Sequence, residues 1–233
     1  MPGSVFLIPT FLYEHAVETI PSYVVDVVKQ CEVFFVENER TARRYLKLIW
    51  REMVIDEYKW FTIHKAEAEV QQSFTQLLTE GKNVGIISEA GCPGVADPGQ
   101  VLVSAAHKAG ATVKPLVGPS SILLALMASG MNGQRFQFVG YLPIETSARK
   151  TALKELESES AKKNCTQIFI ETPYRNNQLI KQIVEICKPK TRLCIAADIT
   201  APSETIISKT INEWKQLPDM HKRPAIFLLL AEG

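Results

Sequence analysis

The order of apolar and amphipathic segments predicts an α/β protein. It predicts two α/β domains, with a parallel sheet in the first and a mixed sheet in the second. Three observations carry this reading. Short apolar runs such as "SVFLIPT", "EVFFVE" and "NVGIIS" alternate with segments of helical spacing, the pattern of parallel strands joined by crossover helices. After "FQFVGYLP" (Phe136–Pro143) the chain turns polar and charged, and its later apolar runs lie close together, which suits antiparallel neighbours joined by short turns. The domain boundary is placed near Pro115–Gly118, so the domains are read as 1–115 and 116–233.

The elements follow in order. Ser4–Thr10 reads as a buried strand, and Thr19-Ile20-Pro21 as a helix start with proline in the first turn. Val24, Val25, Val27 and Val28 give that helix an apolar side. Glu32–Glu37 is the second strand. Glu39–Trp50 is a helix with Tyr45, Leu46 and Ile49 inward, and Lys59–His64 is a third strand. Ala66–Gly81 is the clearest helix, because Val70, Phe74, Leu77 and Leu78 repeat at helical spacing and Gly81 can close it. "NVGIIS", the helix Val101–Gly110 and the strand Thr112–Gly118 complete the first domain. In the second, "FQFVGYLP", a charged helix, "TQIFIE", "NNQLIKQIVEIC", "RLCIAADIT", "SETIISKT", "INEWKQLP" and "PAIFLLLAEG" make another α/β unit.

Composition excludes several classes. With 233 residues, 46% hydrophobic, the chain can bury one large core or two small ones. A net charge of +1 gives no global field for duplex DNA. Five scattered cysteines, none in a C-x-x-C pair, argue against a disulfide framework and point to a reducing cytoplasm. The four histidines are also scattered, so no metal site is expected. The start of the chain lacks the pattern of a signal peptide, and no apolar run is long enough to span a bilayer, so no membrane role is expected.

Two loops concentrate special backbone chemistry. "IISEAGCPGVADPG" (Ile86–Gly99) begins as a strand and then packs glycines, prolines and two carboxylates together. It lies at the carboxyl end of a strand, where open α/β sheets bind ligands, and glycine lets backbone N–H groups come close. Asp97 suits the N-cap of the following helix equally well. "VGPSSILLALMASG" repeats the device, with Ser120 and Ser121 placed to cap a helix or to hold a polar group. Neither loop is a dinucleotide or P-loop fingerprint.

These two motifs, followed by "FQFVGYLP", "IETPYR", "CIAADIT" with "SETI", and the closing "PAIFLLLAEG", resemble the tetrapyrrole-methylase-like superfamily. Within it the resemblance is to the ribosomal RNA small subunit methyltransferase I family, and it runs in order along nearly the whole chain. It implies a cofactor cleft between two α/β domains, S-adenosylmethionine as cofactor, and a homodimer. Carried over by position, the cofactor shell would be Pro9, Thr10 and Leu12, then Ser88, Glu89, Ala90, Gly91 and Val95, then Ser120 and Ser121, and lastly Thr172, Ala197, Pro224 and Ala225. The implied activity is ribose 2′-O-methylation of RNA in the small ribosomal subunit. The alternatives are C-methylation of a tetrapyrrole or other small molecule, and a cofactor-binding, RNA-associated module without activity.

The sequence departs from the family at four places. "PTFLYEH" stands where the family reads Pro-Thr-Pro-Ile-Gly-Asn, and "ENER" (Glu37–Arg40) where it reads Glu-Asp-Thr-Arg. Glu89 replaces Asp, and Cys92 replaces Thr. The first two lie on the expected acceptor side. Methyl transfer to a hydroxyl needs the donor and acceptor held in line and a route for the departing proton. Glu37, Asp97 and Glu171 are the candidate proton acceptors, each with a structural alternative: a strand end, a helix cap, and a pair with Arg175. Cys92 reads as a small residue filling the turn. Arg40, Arg43, Arg44 and Lys47 form one basic cluster, and Arg149, Lys150 and Lys154 another. Such clusters are solvated faces, or hold RNA phosphates where they flank the cleft.

Overall fold

The computed structural model describes residues 1–63 and 67–232. His64, expected to close the third strand, and Ala66, expected to open the third helix, lie outside these residues. So does Gly233. The chain divides into two compact units, Met1–Ser120 and Ser121–Gly233.

The first unit is a five-stranded parallel sheet. In chain order its elements are β1 (Ser4–Ile8), α1 (Tyr23–Val28), β2 (Val33–Val36), α2 (Glu39–Ile49), β3 (Lys59–Thr62), α3 (Glu67–Thr79), β4 (Val84–Ile87), α4 (Gln100–Lys108) and β5 (Thr112–Pro115). The spatial order is β3-β2-β4-β1-β5, with every pairing parallel. All four residues of β2 and of β4 are buried, as expected when helices cover both faces. Alternation sorts them. Val5, Phe35 and Ile86 face a core with Phe74, Leu78 and Leu102, whereas Phe6, Phe34 and Ile87 face one with Val24, Val28 and Leu46. Each fully buried phenylalanine or leucine contributes roughly 1.5–3 kcal/mol. This tertiary burial offsets the poor helix propensity of the α1 valines. The start expected at Thr19-Ile20-Pro21 is displaced, because Val17–Thr19 forms a separate 3-10 turn.

The second unit contains α5 (Ser121–Ser129), β6 (Phe136–Tyr141), α6 (Thr146–Lys163), β7 (Thr166–Ile170), α7 (Asn176–Ile186), β8 (Arg192–Ala197), β9 (Thr205–Thr210) and β10 (Ala225–Leu230). Its sheet order is β6-β7-β10-β8-β9. Only β6 and β7 run parallel, while β10 is antiparallel to both β7 and β8, and β9 to β8. The mixed sheet expected here is therefore observed. "INEWKQLP" supplies no strand. It forms a 3-10 turn at Ile211–Glu213, closed by a capping box between Thr210 and Glu213. Leu153, Phe169, Leu179, Ile183, Ile195 and Phe227 centre the core.

Candidate functional site

Pro9 lacks an N–H and ends β1, one residue after Ile8. The expected strand to Thr10 is thereby cut short, and Thr10 bonds elsewhere. Its N–H donates to the Gly91 carbonyl at 2.9 Å, and the Gly91 N–H donates back at 3.2 Å. The Thr10 hydroxyl donates to the Ser88 carbonyl at 3.3 Å. The loops leaving β1 and β4 are thus locked together at the carboxyl ends of two adjacent strands. The sheet order changes direction here: β1 connects toward β2 on one side, and β4 toward β5 on the other. Open α/β sheets bind ligands at such switch points.

Glycine is required at two places. Gly91 has φ +77°, and a Cβ there would lie 3.4 Å from Leu12 and from the Pro119 carbonyl. At Gly118 a Cβ would fall 2.1 Å from the Pro9 Cβ, so the two loops meet with no room for a side chain. Cys92 fills the remaining gap, with Sγ 3.5 Å from the Pro119 carbonyl oxygen. Burial pushes its thiol pKa up, which keeps it protonated and poorly nucleophilic.

The three candidate carboxylates have different surroundings. Glu37, at the end of β2, accepts from the Glu89 N–H at 3.2 Å through Oε1 and so ties β2 to the β4 loop. Asp97 accepts from the Gly94 N–H at 2.9 Å and the Gly99 N–H at 2.7 Å. It staples its own loop; the N-cap of α4 is Gly99, with no side-chain cap bond. Burial raises the Asp97 pKa, against the opposing effect of the two N–H groups. The Glu171 side chain is 1% exposed. Its Oε1 accepts from the Thr172 N–H at 2.6 Å and from Arg175 at 2.6 and 3.0 Å. Its Oε2 lies 3.8 Å from Arg149 and has no hydrogen-bond partner among the described residues.

Sheet register gathers the second-unit candidates. Thr172 follows β7, Ala197 ends β8 opposite Ala225, and Pro224 precedes β10. Because β10 is antiparallel to its neighbours, all four residues sit at one end of this sheet. The Asp198 N–H donates to the Pro224 carbonyl at 2.9 Å, and Arg223 Nε reaches Asp198 at 2.7 Å. Asp198 and Thr200 have φ of +51° and +72°, and the Thr200 hydroxyl is buried without a partner among the described residues. A β-branched residue held there stores strain of the kind that marks functional loops. Sequence reasoning missed Asp198, Thr200 and Arg223, since no local motif signals a clamp that exists only once β8 and β10 pair. Ser120 and Ser121 fall at the division between the units. Val95 is exposed on the outer limb of its loop.

The basic clusters are largely occupied. Arg43 stacks over Trp60 at 5.2 Å and pairs with Glu39. Lys47 donates to the Met53 carbonyl at 2.9 Å. Arg149 is buried, donating to Gln182 and to the Ile144 carbonyl. It belongs to the second-unit interior rather than to a basic face.

A cavity of about 170 Å³ opens beside the β1 and β4 loops, between Phe11 and Leu12 on one side and Thr41, Arg44 and Tyr45 of α2 on the other. Among the described residues no group of three His, Cys, Asp or Glu is placed to hold a metal ion. No helix among them is long and apolar enough to cross a membrane.

Residues 17–215 match the family described as Tetrapyrrole (Corrin/Porphyrin) Methylases. Over 99% of its length the chain is 28% identical to "Ribosomal RNA small subunit methyltransferase I" of Escherichia coli, and the alignment covers 78% of that relative. Over 74% of its length it is 32% identical to the Vibrio cholerae protein of the same name, 60% of which is covered. In fold it is similar to the methyltransferase CobJ, with a TM-score of 0.65 at 16% identity over 98% of this chain and 94% of that one. It is also similar to a uroporphyrin-III C-methyltransferase from Thermus thermophilus complexed with S-adenyl homocysteine, with a TM-score of 0.55 at 14% identity over 98% and 97%.

Proposed function

The chain belongs to the tetrapyrrole (corrin/porphyrin) methylase family, and we propose that it transfers a methyl group from S-adenosylmethionine to a ribose 2′-hydroxyl of small-subunit ribosomal RNA. The observation that carries this reading is the lock between Thr10 and Gly91 at the switch point of the first sheet. It occurs in a chain that aligns over 99% of its length with a ribosomal RNA methyltransferase. The residues fit such a cofactor: the turn at Gly91, held at φ +77°, leaves its backbone bare of a side chain, and Thr200 holds a buried hydroxyl without a partner among the described residues.

When bound, S-adenosylmethionine supplies a methyl group on a positively charged sulfur. The chain's own work is positioning. In the first unit Pro9, Thr10, Leu12 and the run Ser88–Gly91 hold the donor, with Val95 and Ser120. In the second unit Ser121, Thr172, Ala197, Pro224 and Ala225 do so. Asp97 and Glu171 keep loops in shape, each through the N–H groups it accepts. Glu37 stands at the mouth of β2, where it holds the Glu89 backbone. Well-oriented reactants gain about 7–11 kcal/mol over free encounter, so rigid loops alone account for much of the catalysis.

The same reading takes the protein to be a cytoplasmic homodimer. Five free cysteines support a reducing compartment. Leu123 and Met127, four residues apart on α5, are 50% and 78% exposed and support a covering copy.

Incubation with methyl-tritiated S-adenosylmethionine and small ribosomal subunits from a strain lacking the gene tests the proposal. Label in the RNA is the expected result. Label only in a corrinoid or porphyrin offered in parallel would replace RNA with a small-molecule acceptor. Binding of S-adenosylhomocysteine without transfer to any acceptor would leave a cofactor-binding module.

A further inference from the structure

We infer that Tyr174, His221 and Lys222 form a stacking platform for one base of the substrate RNA other than the one methylated; this rests on the RNA reading above. They stand where β7 leaves the second sheet and β10 enters it, at the end that carries Thr172, Ala197 and Pro224. Tyr174 is 70% exposed. It lies in "IETPYR", whose Glu171 and Arg175 are engaged with each other. Its ring meets that of His221 at 5.9 Å and an angle of 74°, and Lys222 Nζ lies 6.0 Å from its centroid. Proteins hold single-stranded RNA with such sets: a base stacks on the ring, and a nearby cation meets a phosphate.

The fold holds this platform in place. Lys222 has φ +63°, a conformation that is costly for a residue with a side chain and persists only where its surroundings impose it. Its N–H donates to the Pro173 carbonyl at 3.0 Å, which ties it to the residue before Tyr174. Asn176 is fully buried, and its Nδ2 donates to the Met220 carbonyl at 3.2 Å and to the Arg223 carbonyl at 2.7 Å. The Met220 N–H donates to Asn177 Oδ1 at 2.8 Å. Asp219 accepts from Asn177 at 2.7 Å and from the His221 N–H at 3.0 Å, so the carboxylate of this loop is engaged in holding it. The start of α7 thus fixes the chain on both sides of His221 and Lys222, while both residues and the Tyr174 ring stay exposed. A ring held in advance loses little conformational freedom when a base settles on it.

The chemistry favours RNA over a free small molecule. Small-molecule sites enclose most of their ligand, whereas these groups project into solvent. An open stacking face suits a strand that is already held at another point, because the second contact is then intramolecular. The same openness excludes the reacting nucleotide, whose hydroxyl must be held in line with the donor. Arg175 and Arg223 are paired with Glu171 and Asp198, so Lys222 is the cation offered to a phosphate. Stacking reads no base edge, so the platform adds affinity and tolerates any base.

The test compares the full chain with Tyr174→Ala, Tyr174→Trp and Lys222→Gln. Thermal melts confirm folding, and S-adenosylhomocysteine affinity is expected to be unchanged in all three. Affinity for naked small-subunit ribosomal RNA and for intact small subunits is then measured against salt concentration. Tyr174→Ala is expected to weaken both by about tenfold, and Tyr174→Trp to keep wild-type affinity, since it retains a stacking face. Lys222→Gln is expected to flatten the slope of log affinity against log salt by about 0.7, the loss of one phosphate contact. Wild-type RNA affinity in Tyr174→Ala would overturn the inference and leave the RNA reading intact. A loss seen only with intact subunits would overturn it too, by assigning the patch to a ribosomal protein. So would loss of donor affinity in Tyr174→Ala, by making Tyr174 part of the donor site. Tyr174-dependent RNA affinity in a protein that methylates no RNA would support the platform and remove the transfer reading alone. A wild type without RNA affinity would overturn the inference.

Discussion

Gly91 combines three constraints: φ of +77°, both backbone polar groups bonded to Thr10, and close neighbours in Leu12 and Pro119. Gly91→Val is expected to abolish S-adenosylhomocysteine binding in a calorimetric titration, since a β-branched side chain strains a turn held at φ +77° and presses on Leu12 and Pro119. Undiminished binding would place the donor elsewhere. Glu171 makes a different kind of claim. It neutralises Arg149, and both side chains are 1% exposed. Removing one member of a buried pair leaves an uncompensated charge and costs about 3–5 kcal/mol. Urea unfolding of Glu171→Ala should show a loss of that order, and Arg175→Ala, at a more exposed partner, a smaller one. Equal losses would show that Arg149 does not depend on Glu171. The pair with Arg175 is legible in "IETPYR" from spacing alone. Arg149 is not, because its partners Gln182 and Glu171 come from elements that only the folded sheet brings near.

Helices and strands are legible in this chain because the first sheet is buried on both faces and its helices are amphipathic. Their ends are set by chemistry that periodicity does not carry. Pro9 stops β1, and the Asn38 cap starts α2. The order of the second sheet is hidden for another reason: β10 inserts between β7 and β8, a pairing between distant segments that no local pattern encodes. Helix α6 offers a test of element stability. Its N-cap is Glu145, whose carboxylate accepts from the Ser147 and Ala148 N–H groups and from the Ser147 hydroxyl. The Ser147 hydroxyl and the two N–H groups hold its pKa down from 4.5 to about 2. A carboxyl whose folded pKa is depressed stabilises the fold above its unfolded pKa, and the contribution is lost as pH falls through the folded one. Glu145→Ala should therefore lower the unfolding midpoint at pH 7, and the difference from wild type should shrink between pH 4.5 and pH 2. A difference independent of pH would mean that the charge is not what caps the helix.

The whole chain combines a parallel unit that presents paired loops with a mixed unit whose strained Asp198–Thr200 turn is clamped by Arg223. The loops proposed to hold the donor are legible in sequence because they are compact motifs. The cavity beside them is not, because Phe11 and Glu14 of "PTFLYEH" come to face Thr41, Arg44 and Tyr45 only when β1 and α2 are packed together. The proposed dimer should scatter light at twice the 26.0 kDa chain mass at micromolar concentration, and Met127→Glu on α5 should return it to the monomer mass. Monomer mass for wild type would leave the exposed α5 face without a covering copy. The central claim concerns the atom that receives the methyl group. A methyl on the ribose 2′-oxygen blocks attack of that oxygen on the adjacent phosphodiester, so alkali cannot cleave there. RNA labelled by this enzyme from methyl-tritiated S-adenosylmethionine should be hydrolysed in alkali and its products separated by charge. The account predicts label in alkali-resistant dinucleotides; label in mononucleotides would place the methyl on a base and contradict it.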